Sequence, residues 1–303
     1  MIEAQNLTKR FDGYTALDAI TCTIPDGCVY GMVGSNGAGK STFLRTVCGI
    51  YRPDGGRVTV DGQPIHENPA VKSQLLLVPD DLYLMNGASP EGLMRAYAAA
   101  YPYFDKQRAE ALLSAFRLPK NRSTSTFSKG MKRLTVTALS LACRARYIFF
   151  DETMDGLDPV MRHVVKSVIA DDVASYGTTA VVVSHSLREL EDLCDQLALI
   201  HRGGMVLQQD VSTMKTSLFK VQIAFGEPFD RSAFPELSIV HYVQHGSVAN
   251  MIVSGDREEA AALLRAKNPL LCELLPLTLE EVFTYELQAR GYDFNTITEG
   301  LTS

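Results

Sequence analysis

The chain has 303 residues, 46% hydrophobic and 21% charged, with a formal net charge of −6. That composition fits an ordinary globular protein with one large domain, or a large and a small one. It holds no basic tract of the kind that tracks a nucleic-acid backbone and no apolar run near the roughly 18 residues of a membrane-spanning helix, so neither a nucleic-acid partner nor a spanning segment is expected.

In chain order, MIEAQNLTKRF has no signal-peptide core, which predicts a protein made and kept in the cytoplasm. CVYGMVG at 28–34 is a short apolar run ending in glycine and reads as a buried strand. RVTVDG alternates, as a half-exposed strand does, whereas SQLLLVP, YIFFD and TTAVVVSH are continuous apolar runs expected of strands covered on both faces. Helical patterns fall between them, at 40–48, 90–101, 106–116, 129–143, 159–176 and 187–194. Strands alternating with helices predict an α/β fold with a mostly parallel sheet. The pattern changes after ALIHRGGMVLQQD. STMKTSLF reads as a connector, followed by strand-like KVQIAF and VANMIVSG, a helix DREEAAALLRAK, an apolar LLCELLPL and a final helix TLEEVFTYELQARG. The expected division is therefore a domain over 1–215 and a small α+β appendage over 216–303. The six cysteines show no C-x-x-C spacing and read as buried thiols, and His241 and His245 in HYVQH read as a solvated pair on a strand.

Two segments carry phosphate chemistry. GSNGAGKST fits G-x-x-x-x-G-K-[ST], follows a strand and opens a helix. Its backbone, from Gly34 through Ser35, Asn36, Gly37, Ala38 and Gly39, can turn successive N–H groups toward phosphate oxygens, and the helix dipole adds to the attraction. Lys40 reaches the β- and γ-phosphates, Ser41 offers Mg²⁺ a hydroxyl, and Thr42 can donate near the α-phosphate. YIFFDE supplies the second part: Asp151 ends a buried strand where it can hold the Mg²⁺ shell, and Glu152 is placed to orient or deprotonate a water. VVVSH ends a later strand at His185, on the side where open α/β sheets bind ligands, which marks it for the γ-phosphate.

A third segment, TFSKGMKRLTVTALSLACRAR from Thr126, reads as a helix whose start is poorly suited to being one. Lys129, Lys132 and Arg133 add positive charge to an end that is already positive, and Gly130 leaves the backbone bare. An anion at that end would account for the pattern; solvated surface charge is the alternative for the cations.

These motifs, in this order, resemble the ATP-binding subunits of ABC transporters over about residues 1–215. The resemblance implies a P-loop NTPase of the ABC type, with an N-terminal antiparallel β subdomain, a helical subdomain at about 81–145 and the C-terminal α+β appendage. LTKRF resembles the loop whose aromatic side chain, here Phe11, stacks on adenine. GSNGAGKST resembles Walker A, and YIFFDE resembles Walker B with Glu152 as the catalytic carboxylate. FSKGMKR resembles the signature sequence through Ser128, Lys129, Gly130 and Met131. GLDP resembles the D-loop through Asp158, and His185 resembles the switch histidine. The implied activity is Mg²⁺-dependent ATP hydrolysis that powers transport. Tail features such as LTLEEVF are similar to exporters, which makes export the expected direction.

The resemblance further implies separate membrane-spanning permease partners, location on the inner face of the membrane, and head-to-tail pairing with a second copy or a different ATP-binding subunit. Each signature helix then points at the nucleotide of the other subunit. The rival reading is a soluble ABC-type ATPase, such as a cluster-assembly scaffold. Three positions depart from the family pattern. Lys129 replaces a glycine, Thr153 replaces a proline, and Asp80 in LLLVPDDLYL, with Asp81 as the alternative register, stands where a glutamine usually faces Mg²⁺. Asp80 is accordingly expected at the metal, with a solvated loop acid as the alternative.

Overall fold

The computed structural model describes residues 1–85 and 87–289. The chain divides into two compact units, Met1–Gln208 and Gln209–Ser303.

In the first unit, β1 (Ile2–Phe11) and β2 (Tyr14–Ile24) form an antiparallel hairpin. β3 (Val29–Val33) then enters the centre of the unit, followed by α1 (Lys40–Val47). β4 (Gly55–Val60) and β5 (Gln63–Pro64) complete an antiparallel sheet in the order β2-β1-β4-β5. Next come the single turn α2 (Pro69–Lys72) and β6 (Leu75–Val78). Three helices follow, α3 (Pro90–Ala100), α4 (Lys106–Ala115) and α5 (Lys129–Ala142), within the stretch expected to be helical. β7 (Tyr147–Asp151), α6 (Pro159–Tyr176), β8 (Thr179–Ser184), α7 (Leu187–Leu190), β9 (Gln196–His201) and β10 (Gly204–Asp210) complete it.

The second sheet runs β10-β9-β3-β8-β7-β6, and the pairs β9–β3, β3–β8, β8–β7 and β7–β6 are parallel. Every residue of β3, β7 and β8 is buried, as the unbroken apolar runs require of strands with both faces covered. The helix boundaries follow from local chemistry. α6 starts where the Asp158 carboxylate accepts the N–H groups of Val160 and Met161, with Pro159 at the first helical position, and it ends at Gly177 in the left-handed region (φ +67°). Ser89 and Asp105 cap α3 and α4 in the same way. Across the helices, the buried Asp172 of α6 accepts from Arg108 of α4 and from Arg144 just after α5, both at 3.3 Å. Burial pushes the Asp172 carboxyl above its usual range; the two arginines and the Thr178 hydroxyl oppose this. The segment at 187–194 is helical only over the single turn α7, shorter than its pattern suggests.

The second unit opens on α8 (Val211–Ser217), where a connector is expected. Val211 and Met214 lie three apart, on one helix face, and both are buried, so a Ser/Thr/Lys-rich stretch is held as a helix by two apolar contacts. β11 (Leu218–Ala224), β12 (Ser238–His245), β13 (Val248–Ser254), α9 (Arg257–Ala266), β14 (Leu271–Pro276) and α10 (Leu279–Ala289) follow. The sheet is antiparallel throughout, in the order β12-β13-β11-β14. Ala260 and Leu264 of α9 pack with Val221, Ile223 and Met251 in its core. His241 and His245 are exposed on β12, with the His241 ring 5.4 Å from that of Tyr285. Arg290 and Gly291, expected to end the last helix, lie outside the described residues.

Candidate functional site

Three neighbouring parallel strands deliver the site. β3, β8 and β7 are aligned so that Val33 pairs with Ser184 and Asp151 with Val183. Their carboxyl ends therefore bring the loop from Gly34, His185, and the Asp151–Glu152 pair to one rim of the sheet. That rim is where open α/β sheets bind ligands.

The loop that joins β3 to α1 is tightly packed. A Cβ on Gly34 would lie 2.3 Å from the carbonyl oxygen of Ile200, and one on Gly39 would lie 2.5 Å from that of Ala16. Gly39 also sits at φ +107°, so any other residue there would be both strained and blocked. Ala38 is buried, Asn36 and Gly37 are exposed, and Ser35 and Thr42 are half-buried. Lys40 is only 5% exposed; its ammonium donates to the carbonyls of Gly34 (2.6 Å) and Ser35 (3.2 Å). It also pairs with Glu152 Oε1 at 3.4 Å. The first turn of α1 holds no acid, which leaves its positive end uncompensated.

Ser41 Oγ donates to Asp151 Oδ1 at 3.1 Å. Burial pushes the Asp151 carboxyl above its usual range. The Ser41 hydrogen bond works against this, while the charges of Glu152 and Asp80 add to it. A cation at this point would offset the burial and both neighbouring negative charges. The donor set also suits Mg²⁺: two hard oxygens 3.1 Å apart match neighbouring corners of an octahedron with bonds of about 2.0–2.1 Å, whose edges are about 2.9 Å.

Glu152 follows with φ +47°, in the left-handed region. Its Oε2 lies 2.9 Å from His185 Nδ1 and accepts the His185 backbone N–H at 3.3 Å. Against an ionised carboxylate, which can only accept, Nδ1 is the donor. Lys40, Glu152 and His185, read from separate motifs, thus form one bonded group beside the Ser41–Asp151 pair.

Phe11, expected on the adenine side, ends β1 and is 39% exposed. Its ring meets Tyr51 edge-on at 5.3 Å, and the Lys9 ammonium lies 5.2 Å from its centre. Tyr14, directly across the hairpin, reaches the carbonyl of Gly37 at 3.5 Å, which ties this aromatic tip to the phosphate loop.

The signature residues gather elsewhere. Ser128 caps α5, its hydroxyl accepting the Met131 N–H at 3.2 Å. Ser128, Gly130, Met131 and Asp158 share the wall of an open depression with Leu157 and Leu134, and no residue of 34–42 lines it. Lys129 is exposed and lies 3.7 Å from Asp155 Oδ2.

Two residues depart from the sequence reading. Asp80, expected at the metal, has its carboxylate bound by the guanidinium of Arg133, while Ser41 bonds to Asp151. Arg133, read as a phosphate-facing or solvated cation, is 2% exposed and donates to the carbonyls of Glu152 (2.8 Å) and Asp155. A buried guanidinium without a carboxylate would be strongly destabilising, and Asp80, with the Asp155 carboxylate at 3.4 Å, meets that need. The only sequence signal for this pairing is the aspartate standing in the glutamine position.

A family model described as "ABC transporter" matches residues 17–155. The chain is 31% identical over 283 residues to the ABC transporter ATP-binding protein YtrB of Bacillus subtilis (strain 168), an alignment that spans 93% of this chain and 97% of that one. It is 32% identical over 226 residues to the daunorubicin/doxorubicin resistance ATP-binding protein DrrA of Streptomyces peucetius, across 72% of this chain and 67% of the relative. Among solved structures, the ATP-binding subunit of an ABC transporter shares the fold with a TM-score of 0.65 at 24% identity, over 71% of this chain and 92% of that one.

Proposed function

This chain belongs to the ATP-binding subunits of ABC transporters and is an ATPase with the ABC-type P-loop fold, and we propose that it drives export by pairing head to tail around ATP. The observation that carries the pairing is the separation of the two half-sites: the signature depression contains no residue of the phosphate loop. A nucleotide held by Lys40 is completed by Ser128 and Gly130 of another subunit, either a second copy or a different ATP-binding chain. Export is supported by the similarity to DrrA, a drug-resistance ATP-binding protein. No helix among the described residues is long and apolar enough to cross a membrane, so the path for the cargo is assigned to separate permease subunits. The chain would then work at the inner face of the membrane.

In this reading the loop N–H groups from Gly34 to Lys40 hold the phosphates, and Phe11 stacks on the base. Ser41 and Asp151 would hold Mg²⁺, which would supply positive charge against the phosphate oxygens. Glu152 accepts a proton from the attacking water, and His185 keeps the Glu152 carboxylate aimed by its Nδ1–H bond while facing the γ-phosphate. Asp158 shapes the signature depression by capping α6. The unit from Gln209 carries none of these groups and is assigned no catalytic part.

Glu152→Gln tests the proposal. The amide keeps the shape of the side chain and loses its basicity, so ATP binding should persist while turnover falls by about 10²–10⁴-fold. The variant should accumulate with ATP as a dimer on size-exclusion chromatography, alone or with a co-expressed ATP-binding partner. Failure to dimerise in both settings would rule out the head-to-tail arrangement for this chain. Recovery of the chain without any membrane protein after detergent solubilisation would count against permease partners.

A further inference from the structure

Arg133 has the largest fully buried side chain among the described residues, and it sits one turn into the signature helix α5. Its bonds converge on the turn that carries the catalytic carboxylate. One terminal nitrogen, Nη1, donates to the carbonyl of Glu152 at 2.8 Å and to the carbonyl of Asp155, and lies 3.4 Å from the Asp155 carboxylate. The other, Nη2, is bound to Asp80. The inner nitrogen Nε is buried and has no partner. So the guanidinium is committed entirely through its outer fork, which is the geometry an arginine can form and a lysine cannot.

The backbone it grips is unusual. Glu152 is held at φ +47°, a conformation that costs a non-glycine residue on the order of 1–3 kcal/mol and persists only where the surroundings fix it. On the sheet side, the Glu152 N–H bonds to the carbonyl of Val183 at 3.1 Å. On the other side, the Glu152 carbonyl accepts both the Asp155 N–H at 3.2 Å and Arg133. Arg133 thus closes the turn from outside the sheet. The direction of the Glu152 side chain toward Lys40 and His185 follows from that closed turn.

Asp80 differs from its partner in exposure. Its side chain is 46% exposed on the loop after β6, whereas Arg133 is 2% exposed. A half-exposed acid therefore secures a buried cation.

We propose that Arg133 is a positioning residue for ATP hydrolysis: it fixes the Glu152–Asp155 turn, and Asp80 fixes Arg133, so that the placement of α5 and of the loop after β6 is read at the catalytic carboxylate. This rests on Glu152 being the base. The departure from the usual glutamine then has a meaning other than metal binding, since an aspartate is a charged partner for a buried arginine and a glutamine is not.

The test is a double-mutant cycle with Arg133→Lys and Asp80→Asn, reading kcat, KM and equilibrium ATP affinity on full-length protein. Loss of geometry at the base is expected to lower kcat by about ten- to a hundredfold in Arg133→Lys and by several-fold in Asp80→Asn, with ATP affinity unchanged within about twofold. Asp80→Asn should add little in the Arg133→Lys background, because both act through one contact. Asp80→Glu, which keeps the carboxylate, should retain more rate than Asp80→Asn. Should Arg133→Lys fail to fold, the comparison of Asp80→Asn with Asp80→Glu decides alone, since Asp80 is half exposed. Unchanged kcat in folded variants, a loss confined to ATP affinity, or additive effects would each overturn the proposal. Full activity in Glu152→Gln would instead remove the premise that Glu152 is the base, and the two failures are told apart by that single variant.

Discussion

α1 and α5 both begin without an acid in the first turn, yet their starts are surrounded differently. At α1 the loop is enclosed: Lys40 is 5% exposed and bonded to two loop carbonyls and to Glu152, and Asp151 lies against Ser41. At α5 the start is open: Ser128 and Lys129 are exposed, and among the described residues the Ser128 side chain bonds only to its own helix. The first helix end is a site assembled from one chain. The second offers backbone and a hydroxyl, and in the proposed pairing its phosphate arrives with another subunit.

Lys40→Ala should break the enclosed site hardest. It removes a charge preorganised for phosphate, so ATP affinity and turnover should fall together, turnover on the order of a hundredfold or more. Nucleotide titration and a phosphate-release assay would check it; undiminished hydrolysis would end the assignment. Ser128→Ala sharpens the contrast, because it touches the open site alone. Affinity of a single subunit for ATP should stay as it was while turnover of the dimer falls about 10²-fold, with a cap loss of about 1 kcal/mol in thermal unfolding. Equal damage to affinity in both variants would erase the distinction between the two helix ends.

The smallest expected effect lies away from both. Burial alone would raise the Asp26 carboxyl, but bonds from the N-terminal amine, Tyr147 and Arg146 outweigh it and bring it down to about 2. A carboxyl lowered in the folded chain contributes stability that is fully present above its unfolded value of about 4 and is lost as pH falls toward 2. Asp26→Asn should therefore lower stability at neutral pH by no more than about 1 kcal/mol for so exposed a group, seen as a lower melting temperature, and the gap to the parent should close between about pH 4 and 2. A gap independent of pH would show that the amide changes packing instead of charge.

Much of the enclosed site was legible because its chemistry is local. The loop from Gly34 to Thr42 lies in one continuous stretch, and YIFFDE and VVVSH end runs whose unbroken apolarity already implied neighbouring buried strands. Helix starts were legible where a cap and a proline stand together, as at Asp158 and Pro159. Pairing across distance was not. Asp80 and Arg133 are 53 positions apart, and nothing near either residue announces the other. Arg133 also sits beside Lys132 in a helix's opening turns, the usual place for solvated charge, although every residue from Arg133 to Ala142 is buried. α8 was hidden by composition: two apolar residues, Val211 and Met214, settle its helical face within a sequence that otherwise reads as linker.

The cap at Ser128 divides the functions of one hydroxyl. Its oxygen accepts the Met131 N–H, which leaves the hydroxyl hydrogen uncommitted. A single atom pair can thus end a helix and donate to an incoming oxyanion at the same time. Aspartate would cap as well or better, but it carries no hydrogen to give and would set negative charge against the phosphate. Ser128→Asp should therefore melt no earlier than the parent while the paired enzyme loses its turnover. Threonine, which keeps both halves of the hydroxyl, should preserve both properties. The choice of residue at this helix start is governed by a hydrogen that folding does not need.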